Sequence, residues 1–596
     1  MTSKQRTWGQ FATPIDVADL LLGFCLRRPD DRLLDPSCGD GALLRRAARW
    51  RSWLSSGPVV DPASHYGIEL DPDAAATAAA IPGTVVQRAN FFTLDAHDYP
   101  PFDAIVGNPP YTRAEWINRL DADVGQLALF PVLAAGDEPP VHVPLLPREM
   151  GATLGGRAGL YAFFFLHSLA FLREGGRLGF VVPNGWLDVA YGEALKQYLL
   201  DHFRIVAVIE SAVERWFAAA RVNTCLIILE RAGDQAGRDA NRARFIRLRQ
   251  PLADLLGRET DSRRVVAVEQ LVTRLLPATD RLTPGASIRV RDQGELEAAE
   301  RWGNFLRAPN FYLRRSSRPV APLGEWATVQ RGYTTGANDF FILDRRRIEA
   351  WGIEPEFRRP LLKSLRGVHM LHVNAADCRH ELLLIPPAAN LAGTAAAGYL
   401  AWGVTRGIPE RATCAARNPW YALSNQAPGA VLMAKGIWQR HFAPAAMGPM
   451  TVDQQIYRVS PAEQTGVTRF SPGLMAALLN STWFALGCEL GGRVNLGEGV
   501  LWLASYELEK LVLPDPRALD SGVVAALEQA FDHLAAYPVI DTPEALASDA
   551  RRALDDLVFE LVGLPAAERD AARTALVECL DGRRHRARRP DEQEEA

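Results

Sequence analysis

The stretch LLDPSCGDGALL at residues 33–44 decides the fold. Its first two leucines and Asp35 predict the end of a short apolar strand, its glycines mark a tight turn, and residues 42–50 predict a helix. Gly39 and Gly41 let the backbone turn sharply and approach a ligand closely, because glycine has no Cβ. A strand, a glycine turn and a helix in this order predict an α/β unit with a ligand site at the end of the strand.

Short apolar runs and helical segments alternate along the first 230 residues, on both sides of this stretch. We predict strands at residues 32–35, 65–70, 84–88, 102–106, 177–182, 205–210 and 224–230. Strands that alternate with helices are typical of a parallel sheet with helices on both faces. The sequence therefore predicts a doubly wound, Rossmann-like α/β fold whose ligands bind at the carboxyl ends of the strands.

The composition changes several times along the chain, which indicates more than one domain. We predict a first domain at residues 1–230 with a proline-rich insert loop at 118–157, a connector at 231–310, an α+β domain at 311–520, a helical segment at 521–580, and a charged, disordered tail at 581–596. A loop as long as this insert is usually functional or disordered in a compact domain. The tail is a run of charged residues, which favours disorder.

The overall composition excludes several classes of protein. Of the 596 residues, 48% are hydrophobic and 23% charged, as in a globular protein rather than a disordered or fibrous one. No apolar run approaches the ~18–20 residues of a membrane span, and residues 1–11 lack the apolar core of a signal peptide. The seven cysteines include no CxxC pair, so neither a disulfide framework nor structural zinc is indicated. These features predict a cytoplasmic protein.

The charge is unevenly distributed. A net charge of −4 gives the whole chain no electrostatic hold on nucleic acid. Residues 311–440 nevertheless contain 17 Lys and Arg against 9 Asp and Glu. This excess permits an anionic partner for the middle of the chain, and a chance excess on a solvated surface is the equal alternative.

Polar and aromatic side chains follow the second and third predicted strands. Glu69 ends the second strand, where a carboxylate can hold both hydroxyls of a ribose. After the third strand, the Asn90 side chain can hydrogen-bond an adenine edge and the Phe91 ring can stack on the base. The alternatives are a helix-entry carboxylate for Glu69 and a core position for Phe91. The spacing is compatible with a cofactor that contains a nucleoside.

The most specific motif is FDAIVGNPPYTR at residues 102–113, in which an apolar strand ends in Asn-Pro-Pro-Tyr. Two prolines cannot continue a strand ladder, and they fix the backbone. The side-chain oxygen of Asn108 and the carbonyl of Pro109 can then converge on one point, with the Tyr111 ring nearby. Two acceptors and a ring face suit an exocyclic amine on a flat base.

Six segments in this order resemble the gamma-class, Taq-type adenine-N6 DNA methyltransferases of bacterial restriction–modification systems. They are FATPIDVADLL (11–21), DPSCGDG (35–41), GIELDP (67–72), NFF (90–92), GNPPY (107–111) and LYAFFFLHSL (160–169). Three later segments are similar, more loosely, to the C-terminal target-recognition domain of that family: TVQRGYTTGANDFFIL (328–343), LLNSTWFAL (478–486) and LVLPDP (511–516). The resemblance implies a methyltransferase sheet followed by an α+β DNA-recognition domain and a helical tail.

The resemblance also implies an activity, a cofactor and partners. The activity is site-specific transfer of a methyl group from S-adenosylmethionine to the N6 amine of a flipped adenine, without a metal, in restriction–modification or phage defence. The partners are double-stranded DNA and a separate restriction endonuclease. The DNA contacts expected from the second domain are the basic residues Arg314, Arg315, Arg331, Arg345, Arg346, Arg358, Arg359, Lys363 and Lys435.

The site residues follow from the matched motifs. Asn108, Pro109 and Tyr111 would be catalytic, and Phe217, or its neighbour Trp216, would face Tyr111 across the target base. Asp35 would receive the ammonium group of the cofactor, and many relatives carry an acidic residue in place of Asn90, whose amide oxygen can still accept a hydrogen bond. The cofactor-binding set implied by the resemblance is Thr13, Pro14, Asp35, Pro36, Cys38, Gly39, Gly41, Glu69, Asn90 and Phe91.

Several alternatives remain open at this point. An RNA or protein-glutamine methyltransferase uses the same motif for a planar amine or amide, a cytosine-N4 methyltransferase uses the same geometry, and a catalytically silent DNA-binding defence subunit keeps the fold. A nuclease–methylase fusion is the fourth, although only about thirty residues precede the first motif. Cytosine-C5 chemistry is disfavoured, because it needs a cysteine nucleophile and the chain contains no Pro-Cys dipeptide.

Overall fold

The chain forms two compact units, Met1–Ala308 and Pro309–Ala596. The structure is a computed structural model, and it describes residues 12–54, 64–111, 154, 158–189, 191–217, 223–314, 316, 318–462, 470–494 and 499–587. The insert loop predicted at 118–157 therefore lies, except for Leu154 alone, outside the described residues.

The first unit is built on one ten-stranded sheet with the spatial order β3-β2-β1-β4-β5-β7-β6-β8-β10-β9. The strands are β1 (Leu33–Asp35), β2 (His65–Glu69), β3 (Thr84–Arg88), β4 (Phe102–Gly107), β5 (Leu172–Pro183), β6 (Phe203–Ser211), β7 (Thr224–Arg231), β8 (Arg242–Leu248), β9 (Arg281–Leu282) and β10 (Ala286–Asp292). The helices are α1 (Ile15–Cys25), α2 (Ala42–Leu54), α3 (Pro72–Ala79), α4 (Leu160–Phe171), α5 (Tyr191–His202), α6 (Gln235–Asp239), α7 (Leu252–Leu256), α8 (Arg263–Leu275) and α9 (Gly303–Arg307).

The sheet has a separate hydrophobic core on each face. Because successive side chains of a strand point to opposite faces, Leu34 and Ile105 join the core that contains α4, whereas Leu33 and Val106 join the core that contains α1. The α4 sequence LYAFFFLHSLAF is apolar all round and almost wholly buried, as expected of a helix enclosed by its own domain. The fold is therefore doubly wound, as predicted.

The sheet is mixed rather than parallel throughout. The strands from β3 to β5 are parallel to one another, but β7 is antiparallel to both β5 and β6. Residues 212–223, which join β6 to β7, leave little room for the helical crossover that a parallel connection needs. The start of β7 therefore lies at the same edge of the sheet as the ends of β4 and β5.

The prediction of a connector at 231–310 is wrong. Strands β8 and β10 of this region extend the main sheet, and the buried side of α8 packs in the core that contains α1. The sequence of β8, RARFIRL, buries Ala243 and Phe245 and turns arginines outward. Its arginine-rich composition conceals the alternation of a strand.

The second unit combines small sheets with helices. Its sheets have the orders β12-β21-β17-β19-β15, β13-β16-β14-β20, β18-β23-β22 and β11-β24. The strands are β11 (Val320–Pro322), β12 (Ala327–Arg331), β13 (Ile342–Leu343), β14 (Arg358–Leu362), β15 (His372–Val373), β16 (His380–Leu383), β17 (Val431–Ala434), β18 (Gly436–Ile437), β19 (Ala445–Ala446), β20 (Thr451–Val452), β21 (Ile456–Pro461), β22 (Arg493–Val494), β23 (Leu501–Trp502) and β24 (Val512–Pro514). The helices are α10 (Asn310–Leu313), α11 (Asn338–Phe341), α12 (Arg345–Trp351), α13 (Ala395–Thr405), α14 (Ala412–Ala415), α15 (Pro472–Leu479), α16 (Thr482–Gly491), α17 (Ser505–Glu509), α18 (Ser521–Ala535), α19 (Thr542–Ala545), α20 (Asp549–Leu561) and α21 (Ala566–Ala587).

The prediction of a disordered tail from residue 581 is wrong for its first seven residues. Helix α21 continues to Ala587. Arg583 is buried, and its Nη2 lies 2.8 Å from Oε1 of Glu489, which is also buried. The charge run therefore contains an arginine that neutralises a carboxylate inside the unit. Residues 588–596 lie outside the described residues.

Candidate active site

The candidate site lies where the order of the parallel strands reverses. Strand β1 pairs with β2 on one side and with β4 on the other. The chain leaves β1 at Asp35 and β4 at Gly107, so the glycine turn and the NPPY motif begin on neighbouring strands. The crevice at such a reversal is where open α/β sheets bind ligands.

The glycine turn needs both of its glycines. Gly39 and Gly41 have φ angles of 55° and 83°, which side chains strongly disfavour. A Cβ on Gly41 would lie 2.4 Å from Cδ1 of Ile81, so this glycine also permits close packing. Around Gly39, no atom of the described chain lies within 4 Å of the position that a Cβ would take. Gly39 is therefore the point at which a ligand can approach the turn.

Glu69 fixes the glycine turn to the end of β2. Its Oε2 accepts the Gly39 N–H at 2.8 Å, and its Oε1 accepts the N–H groups of Leu70 and Asp71 at 2.9 and 2.8 Å. The carboxylate is thus held by three backbone donors at the carboxyl edge of the sheet. Its predicted contact with a ribose stays a prediction.

Asp35 is a buried carboxyl at the centre of the crevice. It is 1% exposed, and its Oδ1 accepts the Ser37 N–H at 3.2 Å. Burial raises the pKa of Asp35 to about 8, the Ser37 N–H opposes this rise, and the nearby Glu69 charge adds to it. A Cβ on Gly107 would lie 3.3 Å from Asp35 Oδ1, so the ends of β1 and β4 are in close contact.

Phe91 and Asn90, both predicted to contact the cofactor adenine, have contacts within the protein. The Phe91 ring is 3% exposed and packs on Phe164, 5.6 Å between centroids, and on His167, at 4.7 Å. The Phe91 ring is thus packed among core side chains, and its predicted stacking on a base stays a prediction. Asn90 caps the following turn through Oδ1, which accepts the Phe92 N–H at 3.1 Å, while its buried Nδ2 has no partner among the described residues.

The remaining cofactor candidates lie around the same edge. Thr13 and Pro14 are half-buried and immediately precede α1, and the Pro14 carbonyl accepts the Ala18 N–H at 2.9 Å. Pro36 is buried in the turn. The Cys38 side chain faces inward, because its Sγ lies 2.8 Å from the position that a Cβ would take on Gly67. Cys38 can therefore offer a ligand its backbone rather than its thiol.

The NPPY motif places Tyr111 against Phe217. Pro109 is buried and Asn108 is half-buried after β4. The rings of Tyr111 and Phe217 are 6.3 Å apart at 88°, edge to face, and burial raises the pKa of the Tyr111 hydroxyl well above its usual value. Trp216 instead donates its indole N–H to Oε1 of Glu214 at 3.2 Å. Phe217, rather than Trp216, is the ring opposite Tyr111, and a base can enter between the two rings only if they separate.

Most of the basic residues predicted for DNA have protein partners. Arg345 and Arg358 pair with Glu349 at 2.7 Å and Glu381 at 2.6 Å. Of the others, Arg314 pairs with Glu568, Arg359 donates to the carbonyls of Glu356 and Arg358, Arg346 and Lys363 are exposed, and Arg315 lies outside the described residues.

In the second unit, Arg331 and Lys435, both predicted to contact DNA, lie near a further basic residue, Arg493. The pKa of Lys435 is lowered by burial and by the charges of Arg331 and Arg493, and its Nζ lies 5.7 Å from the Trp502 ring centroid. Arg493 pairs with Glu507 at 3.0 Å. We call Arg331, Lys435 and Arg493 the basic cluster. Sequence reasoning missed Arg493, because it lies in β22, about 60 residues after Lys435.

The described residues offer neither a metal site nor a membrane span. No group of three or more His, Cys, Asp or Glu side chains in this part of the chain is arranged to hold a metal ion. No helix that the structure describes is both long and apolar enough to cross a membrane.

Three protein families match parts of the chain. Residues 1–133 match the N-6 DNA methylase family, residues 84–217 the Eco57I restriction–modification methylase family, and residues 309–542 the C-terminal domain of the type II methyltransferase M.Eco57I. The third match begins at the first residue of the second unit.

Individual proteins that resemble the chain are type II methyltransferases or restriction–modification enzymes. The chain is 25% identical over 512 residues to the type II methyltransferase M.XamI of Xanthomonas campestris pv. amaranthicola, covering 81% of this chain and 80% of the relative. It is 30% identical over 200 residues to M.TthHB8I of Thermus thermophilus, covering 33% and 40% of the two chains. The type IIL restriction–modification enzyme MmeI, solved in complex with DNA, has the same fold, with a TM-score of 0.57, 14% identity, and coverage of 96% and 75%. The chain is therefore similar to N-6 DNA methylases over its first 133 residues, and to a methyltransferase of a type II restriction–modification system over most of its length.

Proposed function

We propose that the protein transfers a methyl group from S-adenosylmethionine to the N6 amine of an adenine that has been flipped out of duplex DNA. The observation that carries this proposal is the position of Asn108–Tyr111, directly after β4 and beside the β1 turn at the reversal of strand order. An amine held there lies next to the crevice in which this fold binds its ligands.

The residues of the crevice fit S-adenosylmethionine. Asp35 supplies a carboxylate for its ammonium group, the open Gly39 turn admits it, and Glu69 is held ready for the ribose hydroxyls. The unpartnered Nδ2 of Asn90 is a donor, so it would bind a ring nitrogen of the adenine, while Oδ1 keeps the turn capped. This replaces the acceptor role that the sequence suggested for the amide oxygen.

The reaction requires only positioning and electrostatics from the protein. When bound, S-adenosylmethionine supplies a methyl group made electrophilic by its sulfonium. The Asn108 side-chain oxygen and the Pro109 carbonyl accept hydrogen bonds from the two N–H groups of the target amine, which draws electron density onto its nitrogen and frees the lone pair to bond the methyl carbon. The carbon–sulfur bond would break at the same time with its electron pair left on the sulfur, and the methylated amine would then release one proton to solvent. Fixed acceptors of this kind need no reorganisation during the reaction. The proposed transfer uses neither a covalent enzyme intermediate nor a metal ion.

The target base must leave the duplex before it can reach Asn108. Unstacking costs a few kcal/mol, and stacking on an aromatic side chain recovers about 1–3 kcal/mol per base. Tyr111 and Phe217 provide such a pair of rings once the base separates them. An aromatic slot next to two fixed acceptors favours a flat base bearing an amine.

The proposal is tested by offering labelled S-adenosylmethionine with duplex DNA, RNA or ribosomal protein. We expect label in duplex DNA alone, on N6 of adenine after digestion to nucleosides. Label in RNA or protein, or none in DNA while the cofactor binds, would support one of the alternatives instead.

We expect Tyr111→Ala to slow methyl transfer by about 5- to 150-fold, the equivalent of losing one base–aromatic stack. Tyr111→Phe keeps the ring and serves as the control, with activity close to the wild type. Steady-state kcat and KM for duplex DNA measure the effect. A loss as complete as that of Asn108→Ala, in a folded variant, would contradict separate roles for the two residues.

We expect the basic cluster to contact DNA phosphates. Each phosphate contact adds ~0.9 to the slope of log affinity against log salt concentration, so replacing Arg331 and Lys435 together by alanine should lower the slope by about 2 and weaken all sequences alike. Binding titrations at several salt concentrations measure this. Arg552→Ala is the control, because Arg552 is not among the expected DNA contacts and pairs with Asp570 at 3.3 Å on the surface of the same unit. An unchanged slope in the double variant would exclude the cluster as a DNA contact.

A further inference from the structure

A buried ion network lies at the same edge of the sheet, beyond β4. Arg307, the last residue of α9, donates through Nη1 to Asp188 at 2.7 Å and through Nη2 to Glu210 at 2.8 Å. The three side chains are 19%, 14% and 4% exposed, respectively. One guanidinium thus bridges two carboxylates from different parts of the chain, a geometry to which its fixed fork is suited.

Helix α9 is fixed firmly on the loop that follows β5. A Cβ on Gly303 would lie 2.2 Å from Oδ1 of Asp188, so the helix backbone touches this loop directly. The Trp302 N–H donates to the Leu187 carbonyl at 3.0 Å, and the ring centroids of Trp302 and Trp186 are 5.9 Å apart. These contacts fix the backbone position from which the Arg307 side chain reaches Asp188 and Glu210.

The network also holds the loop that follows β6. Glu210 is the penultimate residue of β6, and Asn184, directly after β5, donates to its Oε2 at 3.1 Å. Arg307 and Asn184 thus both donate to the carboxylate of Glu210. They link the end of β6 to the end of β5.

The chain runs from Glu210 to the ring opposite Tyr111 in seven residues. Ser211 Oγ accepts the N–H groups of Val213 and Glu214 at 3.3 and 3.1 Å, and Glu214 in turn accepts the indole N–H of Trp216. Each of these hydrogen bonds joins residues two or three positions apart and so fixes the local conformation of the loop. The loop therefore transmits the position of Glu210 to Phe217.

We propose that Arg307 is a positioning residue for the target base: by holding Glu210, it keeps the loop 211–217 in place so that Phe217 faces Tyr111. This inference rests on the proposed function. Arg307 acts through the loop and is not placed in contact with the substrate or the cofactor. The candidate cofactor residues follow β1, β2 and β3 or precede α1, whereas the partners of Arg307 follow or end β5 and β6.

The test is Arg307→Lys in the full chain, which keeps the charge but loses the fork that spans Asp188 and Glu210. Displacement of groups around a reacting centre costs up to about 100-fold in rate, so we expect kcat to fall by about 10- to 100-fold while cofactor affinity stays within about twofold. The methylated position is first identified with the wild type. In duplex DNA that carries 2-aminopurine at this position, we expect the fluorescence of the flipped base to be lower with Arg307→Lys than with the wild type.

Arg177→Lys is the matched control. Arg177 is also 19% exposed and pairs with a half-buried carboxylate, Glu230, at 3.2 Å, but it lies beside the start of β4 and the end of β7, away from the candidate site. We expect this variant to lose stability without losing kcat or the fluorescence signal. An equal loss of kcat in both variants would overturn the proposal, as would normal kcat and fluorescence in Arg307→Lys.

A second variant covers the case in which Arg307→Lys does not fold. The triple change Arg307→Gln, Asp188→Asn and Glu210→Gln removes the three charges together and leaves no uncompensated ion. It should bind the cofactor normally and show the same fall in kcat and fluorescence, and wild-type values for both would overturn the proposal. Failure of the proposed function is separate, because in that case the wild type itself transfers no methyl group to duplex DNA.

Discussion

Asn108→Ala is expected to reduce methyl transfer by about 100- to 1000-fold, the usual cost of removing one preorganised hydrogen-bonding group from a reacting centre. In the proposed mechanism the side-chain oxygen at this position accepts a hydrogen bond from the target amine, and alanine would leave the amine conjugated with its ring. The proposed cofactor contacts lie at the ends of β1 and β2 and in the turn at Asn90, so we expect cofactor affinity to stay within about twofold. Calorimetric titration of the cofactor and single-turnover methyl transfer separate the two effects.

Asn90→Ala is the matched control for this prediction, because it removes the same side chain from the neighbouring loop. It should weaken cofactor binding and leave the rate at saturating cofactor close to the wild-type rate. If Asn108→Ala instead abolished cofactor binding while keeping the rate at saturation, Asn108 would belong to the cofactor site and the proposed chemistry would be wrong.

The second large effect is a dependence of cofactor affinity on pH that Asp35→Asn removes. Asp35 must be ionised to receive an ammonium group, and burial raises its pKa to about 8. Affinity should therefore rise about tenfold between pH 6 and pH 7 and level off above pH 8, because one pH unit below the pKa changes the ionised fraction about tenfold. Asp35→Asn should bind weakly at pH 8 and lose this dependence.

The same shift has the opposite sign for the stability of the protein without cofactor. A carboxyl whose pKa is higher in the folded state stabilises that state below its unfolded pKa near 4, and this stabilisation is lost as the pH rises towards 8. Asp103→Asn, on β4 at the other end of the sheet, is the control and should keep the pH dependence of binding. A flat affinity profile in the wild type would contradict an ammonium contact at Asp35.

Local signals predicted the part of the fold that carries the site. The glycine turn and the NPPY motif lie directly after strands in the sequence, so their positions in the sheet followed from the rule that ligands bind at strand ends. The pairing of Phe217 with Tyr111 came from the family resemblance, and the structure brings the two rings into contact. The first two features depend only on local sequence, whereas the contact between Tyr111 and Phe217 joins segments 106 positions apart and was predicted only through the resemblance.

Long-range packing decided what the sequence could not. Phe91 follows a strand as a stacking residue would, but α4, about 70 residues later, covers its ring. In the sequence, Arg583 belongs to a run of charged residues, and only the structure shows that it pairs with Glu489. The network of Arg307 joins residues 97 and 119 positions apart, so no sequence spacing could have indicated it.

The central claim is that Asn108 and Pro109 hold the amine of a flipped adenine. Its most direct test is to sequence, and analyse by mass spectrometry, the DNA of a host that expresses the protein, beside a host that expresses Asn108→Ala. We expect N6-methyladenine in one sequence context with the wild type, and a much lower level of it in the same context with the variant. N4-methylcytosine, or N6-methyladenine at wild-type levels with Asn108→Ala, would contradict it.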